Sequence, residues 1–228
     1  MMPAMLPRFY YHPLASFCHK VLIALYEKQI EFQPVIVDFG DPESATAFRK
    51  VWPMAKMPVL VDGQRGETVA ETTIILEYLD LHFAGPEMLP ADPGEALKAR
   101  FWDRFFDQYV EVPMQKIVTD RLRPEGKGDD VGVEQARAQL RQAYEIIEDH
   151  MQGRTWAMGE TFGIADCAAA PALFYANTVE PIGADFPLTA AYNDRLMTRP
   201  SYASILREAE PYFVMFPMPA KPDISKLG

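Results

Sequence analysis

The Met57-Pro58 step constrains this chain more than any other feature. It opens a short apolar run, Val59 to Val61, that stops at the turn signal Asp62-Gly63. Proline has no N–H to give a ladder, so it enters a sheet at a strand start or an edge. It is also the one residue before which a cis bond is cheap, about 0.5–1 kcal/mol against about 2.5–4 elsewhere. On the local residues alone an ordinary trans proline entering an edge strand fits better, because cis is the minority form. A cis bond would turn the Met57 backbone outward and leave its N–H and C=O for a ligand. A second short strand, Thr68 to Ala70, follows the turn, and then Glu71-Thr72-Thr73 precedes an apolar helix ending near Phe83. Thr72 is expected to be the N-cap of that helix, whose first N–H groups would form an anion site beside Met57. Glu71 offers a carboxylate to a cation. Together they suit a group that carries both an ammonium and a carboxylate, such as the head of an amino acid.

Arg8 to Tyr11 reads as a strand ended by His12-Pro13. Phe17, Val21, Ala24 and Leu25 then fall on one helical face, predicting a helix to about Lys28. Phe32 to Val37 is apolar and rich in β-branched residues, hence a strand, and Glu43 to Lys50 is a short helix. The order is β-α-β, a helical crossover, then β-β-α, which predicts a mixed four-stranded sheet with helices on its faces. Residues 85–93 are rich in Gly, Pro and Asp and read as a linker between a domain at 1–84 and another at 94–228.

No strand pattern follows the linker. Trp102, Phe105, Phe106 and Tyr109 line one face of a helix that Pro113 should kink or interrupt. Ala136, Leu140, Ala143, Ile147 and Met151 keep helical spacing, with charges opposite. Ile164 to Asn177 is nearly all apolar and is expected to be a buried central helix; two shorter helices, near 189–198 and 202–208, complete an all-α bundle.

Lys56-Met57-Pro58-Val59-Leu60 followed by Glu71-Thr72-Thr73-Ile74 resembles the glutathione-binding half of a glutathione S-transferase, whose N-terminal domain is thioredoxin-like. Phe162-Gly163-Ile164-Ala165-Asp166 and Arg199-Pro200-Ser201-Tyr202 extend the resemblance into the helical half. Asp166 would stand at N3 of a capping box, with Gly163 where the family carries Ser or Thr. The resemblance implies that Met57 pairs with the cysteinyl backbone of glutathione and that Glu71 and Thr72 hold the γ-glutamyl head. It further implies that Lys56 reaches the glycyl carboxylate and that the enzyme works as a homodimer. It would use glutathione as co-substrate against a small apolar electrophile.

The thiol-activating group is the difficult assignment. Related sequences carry Ser-Pro-Phe-Cys or Cys-Pro-Phe-Cys in this region, with the catalytic residue first; this chain has Ala15-Ser16-Phe17-Cys18. In that register the catalytic position is Ala15, which has no functional group, so Ser16 is taken as the catalytic hydroxyl. A helix N-cap is its structural alternative, and the two roles are compatible. Tyr11 is a second hydroxyl candidate, with a core aromatic as the plainer reading. Cys18 would serve a thiol-disulfide or peroxide reductase, and without a partner cysteine at 15 it reads better as a small buried hydrophobe. A glutathione-binding protein without catalysis is the third reading, favoured by Ala15. His12 and His19 read as loop or helix-surface residues. Trp52 is a candidate for the cleft wall, whereas Tyr109, Met114, Tyr212, Phe213 and Phe216 read as core or interface.

With 22 Lys+Arg against 32 Asp+Glu, the net charge of −10 argues against a nucleic-acid surface and gives no attraction to an anionic membrane. An anionic ligand must then be held by local donors. Cys18 and Cys167 form neither a CxxC nor a metal spacing, so neither a disulfide framework nor a metal site is expected. The opening Met1–Arg8 segment lacks the pattern of a secretory leader, which points to the cytoplasm.

Overall fold

The alternation in the first strand sets the layout of the N-terminal unit. Phe9 points to one face of the sheet and Tyr10 to the other, and both are buried. Such a strand needs cover on both sides, and the computed structural model, which describes residues 5–227, supplies it. Four strands, β1 (Arg8–Tyr11), β2 (Gln33–Ile36), β3 (Val59–Asp62) and β4 (Glu67–Ala70), form one sheet in the order β2-β1-β3-β4. β1 runs parallel to β2 and antiparallel to β3, and β3 is antiparallel to β4. The residues ahead of Met5 in the Met1–Arg8 segment, and Gly228, lie outside the described residues.

Three helices complete this unit: α1 (Ser16–Glu27), α2 (Pro42–Val51) and α3 (Thr72–His82). Asp41 starts α2 by accepting hydrogen bonds from the N–H groups of Glu43 and Ser44, at 3.0 and 3.3 Å. Phe48 of α2 closes a cluster with Tyr10, Val37 and Val59 on one face of the sheet. On the other face Phe9 meets Phe32 edge-on at 5.8 Å, and Phe32 stacks on Tyr26 of α1. α1 and α3 pack on each other, and Val21 and Leu25 of α1 and Ile75 and Leu79 of α3 are fully buried.

Residues 89–228 form the second unit, which is helical among its described residues. Its helices are α4 (Pro93–Phe105), α5 (Val112–Asp120), α6 (Asp130–His150), α7 (Ile164–Val179), α8 (Pro187–Thr198) and α9 (Pro200–Ala209). The interruption expected from Pro113 takes the form of a π-helical segment, Phe106–Glu111, between α4 and α5. Pro113 cannot donate to the carbonyl of Tyr109, and a wider turn accommodates the missing bond without ending the helix. α7 is buried along nearly its whole length, so it is the element around which this unit's core forms. Asp166 starts it as expected from N3, its carboxylate accepting from Gly163 N at 2.9 Å. Of the residues read as core or interface, Met114, Phe213 and Phe216 are buried, Phe216 stacks on Tyr175 of α7, and Tyr212 is half-buried. Tyr109 is half exposed and lies against Phe105.

Candidate functional site

Strand register brings the sequence motifs together. Tyr10 pairs with Val59, and Val59 pairs with Ala70. Whatever follows β1, precedes β3 or follows β4 therefore emerges at one edge of the sheet. Those segments are His12–Ser16, Lys56–Pro58 and Glu71–Thr72. α1 and α3 both start from this edge and run back along the sheet, so both present their N-terminal N–H groups and positive dipole ends there.

The Met57-Pro58 bond is cis. Pro58 is buried and Met57 is half-buried. Neither the N–H nor the C=O of Met57 has a hydrogen-bond partner among the described residues, so both remain available to an extended peptide. Lys56, next to it, is exposed.

Glu71 and Thr72 correct the expected cap. Thr72 is the first residue of α3 and Glu71 occupies the N-cap position, with no side-chain cap bond. The Glu71 backbone sits at φ 68°, ψ 121°, a region beyond even the left-handed helical basin that side chains rarely adopt. Its side chain is exposed. Ile75 N makes the first helical bond, to Glu71 O at 2.9 Å. The N–H groups of Thr72, Thr73 and Ile74 precede that bond and face the edge.

The start of α1 differs from the expected cap in the same way. Ala15 takes the N-cap position, and Ser16, expected as cap or catalyst, is the buried first residue of the helix. The Ala15 carbonyl accepts from Cys18 N and His19 N, at 2.9 and 3.2 Å. Its methyl therefore marks the cap position while the nearest hydroxyl belongs to Ser16. Tyr11 stacks on Phe9, ring centroids 5.3 Å apart.

His12 lies in the loop after β1 as expected, and His19 departs from expectation. His19 is fully buried, not on the helix surface, and its Nε2 meets the Pro13 carbonyl at 2.5 Å. Burial depresses its pKa to about 4, so the ring is neutral and donates its Nε2–H to that carbonyl. His12 accepts the Leu14 N–H on Nδ1 at 3.1 Å, and burial lowers its pKa against the pull of Asp38. Both rings fix the turn between β1 and α1. Trp52 is half-buried and packs against the Tyr10–Phe48 cluster, as Met57 does.

Cys18 is fully buried, and burial pushes its thiol pKa up to about 12. A thiol so placed is neither ionised nor reachable at neutral pH. Iodoacetamide at pH 8 is expected to leave Cys18 unmodified in the folded protein and to alkylate it after guanidinium unfolding; peptide mass mapping reads the difference. Native labelling at Cys18 would contradict this placement.

A cavity of about 320 Å³, lined by Leu6, Pro7, Ile30, Asp62, Gln64 and Arg65 among others, opens at the opposite edge of the sheet, where β1 begins and β3 ends. It plays no part in this constellation. Among the described residues no group of three or more His, Cys, Asp or Glu side chains is placed to hold a metal, and no helix is long and apolar enough to cross a membrane.

Two family models match the chain: the glutathione S-transferase N-terminal domain over residues 15–82 and the glutathione S-transferase C-terminal domain over residues 130–197. Together they span more than half of it. A probable glutathione S-transferase of Nicotiana tabacum is 31% identical over 71% of this chain, and the match spans 66% of that relative's length. FtsZ-localized protein A of Caulobacter vibrioides is 30% identical over 89% of this chain and 91% of its own. Among solved structures, a glutathione S-transferase of Methylobacterium radiotolerans in complex with glutathione sulfonate superposes with a TM-score of 0.76. The two are 29% identical, over 87% of this chain and 93% of that one.

Proposed function

Since the chain belongs to the glutathione S-transferase family, we propose that its N-terminal domain, residues 1–84, binds glutathione as a co-substrate and promotes attack of the thiolate on a small apolar electrophile. The observation that carries this reading is the convergence at one sheet edge of an unbonded Met57 backbone, the Glu71 carboxylate and two helix N-termini. In this reading Met57 N–H and C=O pair with the cysteinyl unit. Glu71 holds the γ-glutamyl ammonium, Thr72 and the first N–H groups of α3 hold its carboxylate, and the Lys56 ammonium meets the glycyl carboxylate. The family is the ground for a cytoplasmic homodimer.

The reaction requires a thiolate near neutral pH. A free thiol has a pKa near 8.5, so lowering it by about two units takes roughly 2.7 kcal/mol of preference for the anion. One hydrogen bond to a charged group supplies about 1.5–3 kcal/mol, and a helix N-terminus adds about 0.3–1. Ser16 at the mouth of α1 is thus sufficient if its hydroxyl meets the sulfur. Reduction through Cys18 is disfavoured by the burial and raised pKa of that thiol. A glutathione-binding protein without transferase activity is the second reading, because the helix cap is an alanine. Similar in identity is a relative named for its localisation with FtsZ rather than for a transfer reaction.

The absorbance of bound thiolate against pH separates these readings. The wild type is expected to hold glutathione with a thiol pKa one to two units, about 1.4–2.7 kcal/mol, below the free value. Ser16→Ala is expected to recover about one unit of that shift. Glutathione that binds with an unshifted pKa would leave the binding-protein reading in its place.

A further inference from the structure

A buried lysine lies where the site's two helices meet. Lys20 is one turn after Ser16 on α1 and is 1% exposed, and its ammonium donates to Thr73 Oγ1 of α3 at 3.2 Å. Taking an ammonium out of water costs several kcal/mol, which only favourable electrostatic surroundings offset. An apolar residue would pack two helices at less cost, so packing alone does not account for a lysine here. What distinguishes the position is its neighbours. Thr73 is the second residue of α3, next to Thr72, and Lys20 shares a helical face with Ser16 through the i, i+4 spacing.

We propose that Lys20 is a positioning residue for the γ-glutamyl carboxylate: its ammonium fixes the first turn of α3 through Thr73 and adds a buried positive charge beneath the anion-binding end of that helix. The inference rests on the glutathione reading above. Because the charge is buried, its field reaches the subsite with little screening by salt, whereas that of exposed Lys56 is screened. In a protein of net charge −10, such an internal cation offsets the general repulsion of an anionic ligand.

Calorimetric titration tests this with two ligands: glutathione, and 4-aminobutyryl-cysteinyl-glycine, which is glutathione without the γ-glutamyl α-carboxylate. Lys20→Met is expected to weaken glutathione binding roughly tenfold and to change affinity for the analogue by less than about twofold. Lys20→Arg is expected to recover part of the loss. The loss at Lys20 should persist at about 1 M salt, where the loss caused by Lys56→Met fades. Equal weakening of both ligands, or of neither, would overturn the proposal and leave Lys20 a structural residue. A wild type that binds neither ligand would remove the glutathione reading itself, and this inference with it. Should Lys20→Met fail to fold, Thr73→Val, which deletes the bonded hydroxyl and keeps the shape, is expected to show the same selective loss for glutathione. An unchanged ratio in that variant would overturn the proposal.

Discussion

Asp166→Ala is expected to lower the stability of the helical unit by about 3–5 kcal/mol, the range seen when one member of a buried charged network is removed. The carboxylate is fully buried at the start of α7. Its Oδ1 accepts from Ala157 N at 2.8 Å and from the Tyr192 hydroxyl at 2.5 Å, and its Oδ2 accepts from Gly163 N at 2.9 Å. One side chain thus joins the loop before α7, the α7 cap and α8. Alanine leaves three buried donors without an acceptor, each at about 1–3 kcal/mol. Some of that is recovered because the carboxylate no longer has to be desolvated. Gly163 offers no side-chain oxygen to take over, although as a cap in itself glycine costs only a few tenths of a kcal/mol.

The same residue carries a pH signature. Burial outweighs its three hydrogen bonds and raises the Asp166 pKa from 3.8 to about 6. Between those values the folded state holds a proton that the unfolded chain has released. This contribution to stability is therefore full below about pH 4 and declines as pH rises through about 6. Alanine has no such term, so the cost of Asp166→Ala should be larger at pH 4 than at pH 7, by on the order of 2–3 kcal/mol. Urea unfolding of both proteins at the two pH values measures it. A cost that grew with pH instead would mean that the hydrogen bonds, not burial, dominate the ionisation.

What the sequence discloses here follows the range of the interaction involved. Periodicity placed the strands and helices because burial of one face is written in successive residues: Phe9 and Tyr10 alternate, and Leu140, Ala143 and Ile147 recur on one helical side. Pro113 and Asp166 were legible because each acts on a backbone group within four residues, whereas the cis Met57-Pro58 bond runs against the local preference for trans. The caps at Ala15 and Glu71 were not, since Ser16 and Thr72 are the better capping residues by propensity. At Glu71 the connection from β4 into α3 imposes a backbone that propensity disfavours, and the sheet register decides where the helix begins. By local sequence His19 and Lys20 are ordinary polar helix residues. Their burial depends on α1 meeting neighbours that lie far away in sequence, α3 in the case of Lys20. For the site itself, the sequence named residues on three separate segments; only the Tyr10–Val59–Ala70 register puts them at one edge.

Glu71 sets up the second large effect, in which binding and stability are expected to move in opposite directions. A non-glycine residue at φ 68°, ψ 121° stores about 1–3 kcal/mol of backbone strain. Glycine adopts that geometry freely and gives back about 0.5–1 kcal/mol through the greater freedom of the unfolded chain. Glu71→Gly should therefore raise stability by about 1 kcal/mol, which for a chain of this size is a gain of about 2–4 °C in Tm. The carboxylate that would face the γ-glutamyl ammonium is lost in the same step. A hydrogen bond to a charged partner is worth about 1.5–3 kcal/mol, so glutathione affinity should fall by roughly one to two orders of magnitude. Glu71→Gln separates the two terms. It keeps the strained backbone and removes the charge, so Tm should stay within about 1 °C of wild type while affinity falls nearly as far. Thermal unfolding and glutathione titration of the three proteins read both quantities. If Glu71→Gly gained no stability, the strain would be absent. If Glu71→Gln bound glutathione as tightly as wild type, the carboxylate would have no part in holding the ammonium. The joint outcome, greater stability with weaker binding, would mean that the Glu71 conformation is kept for its ligand and not for the fold.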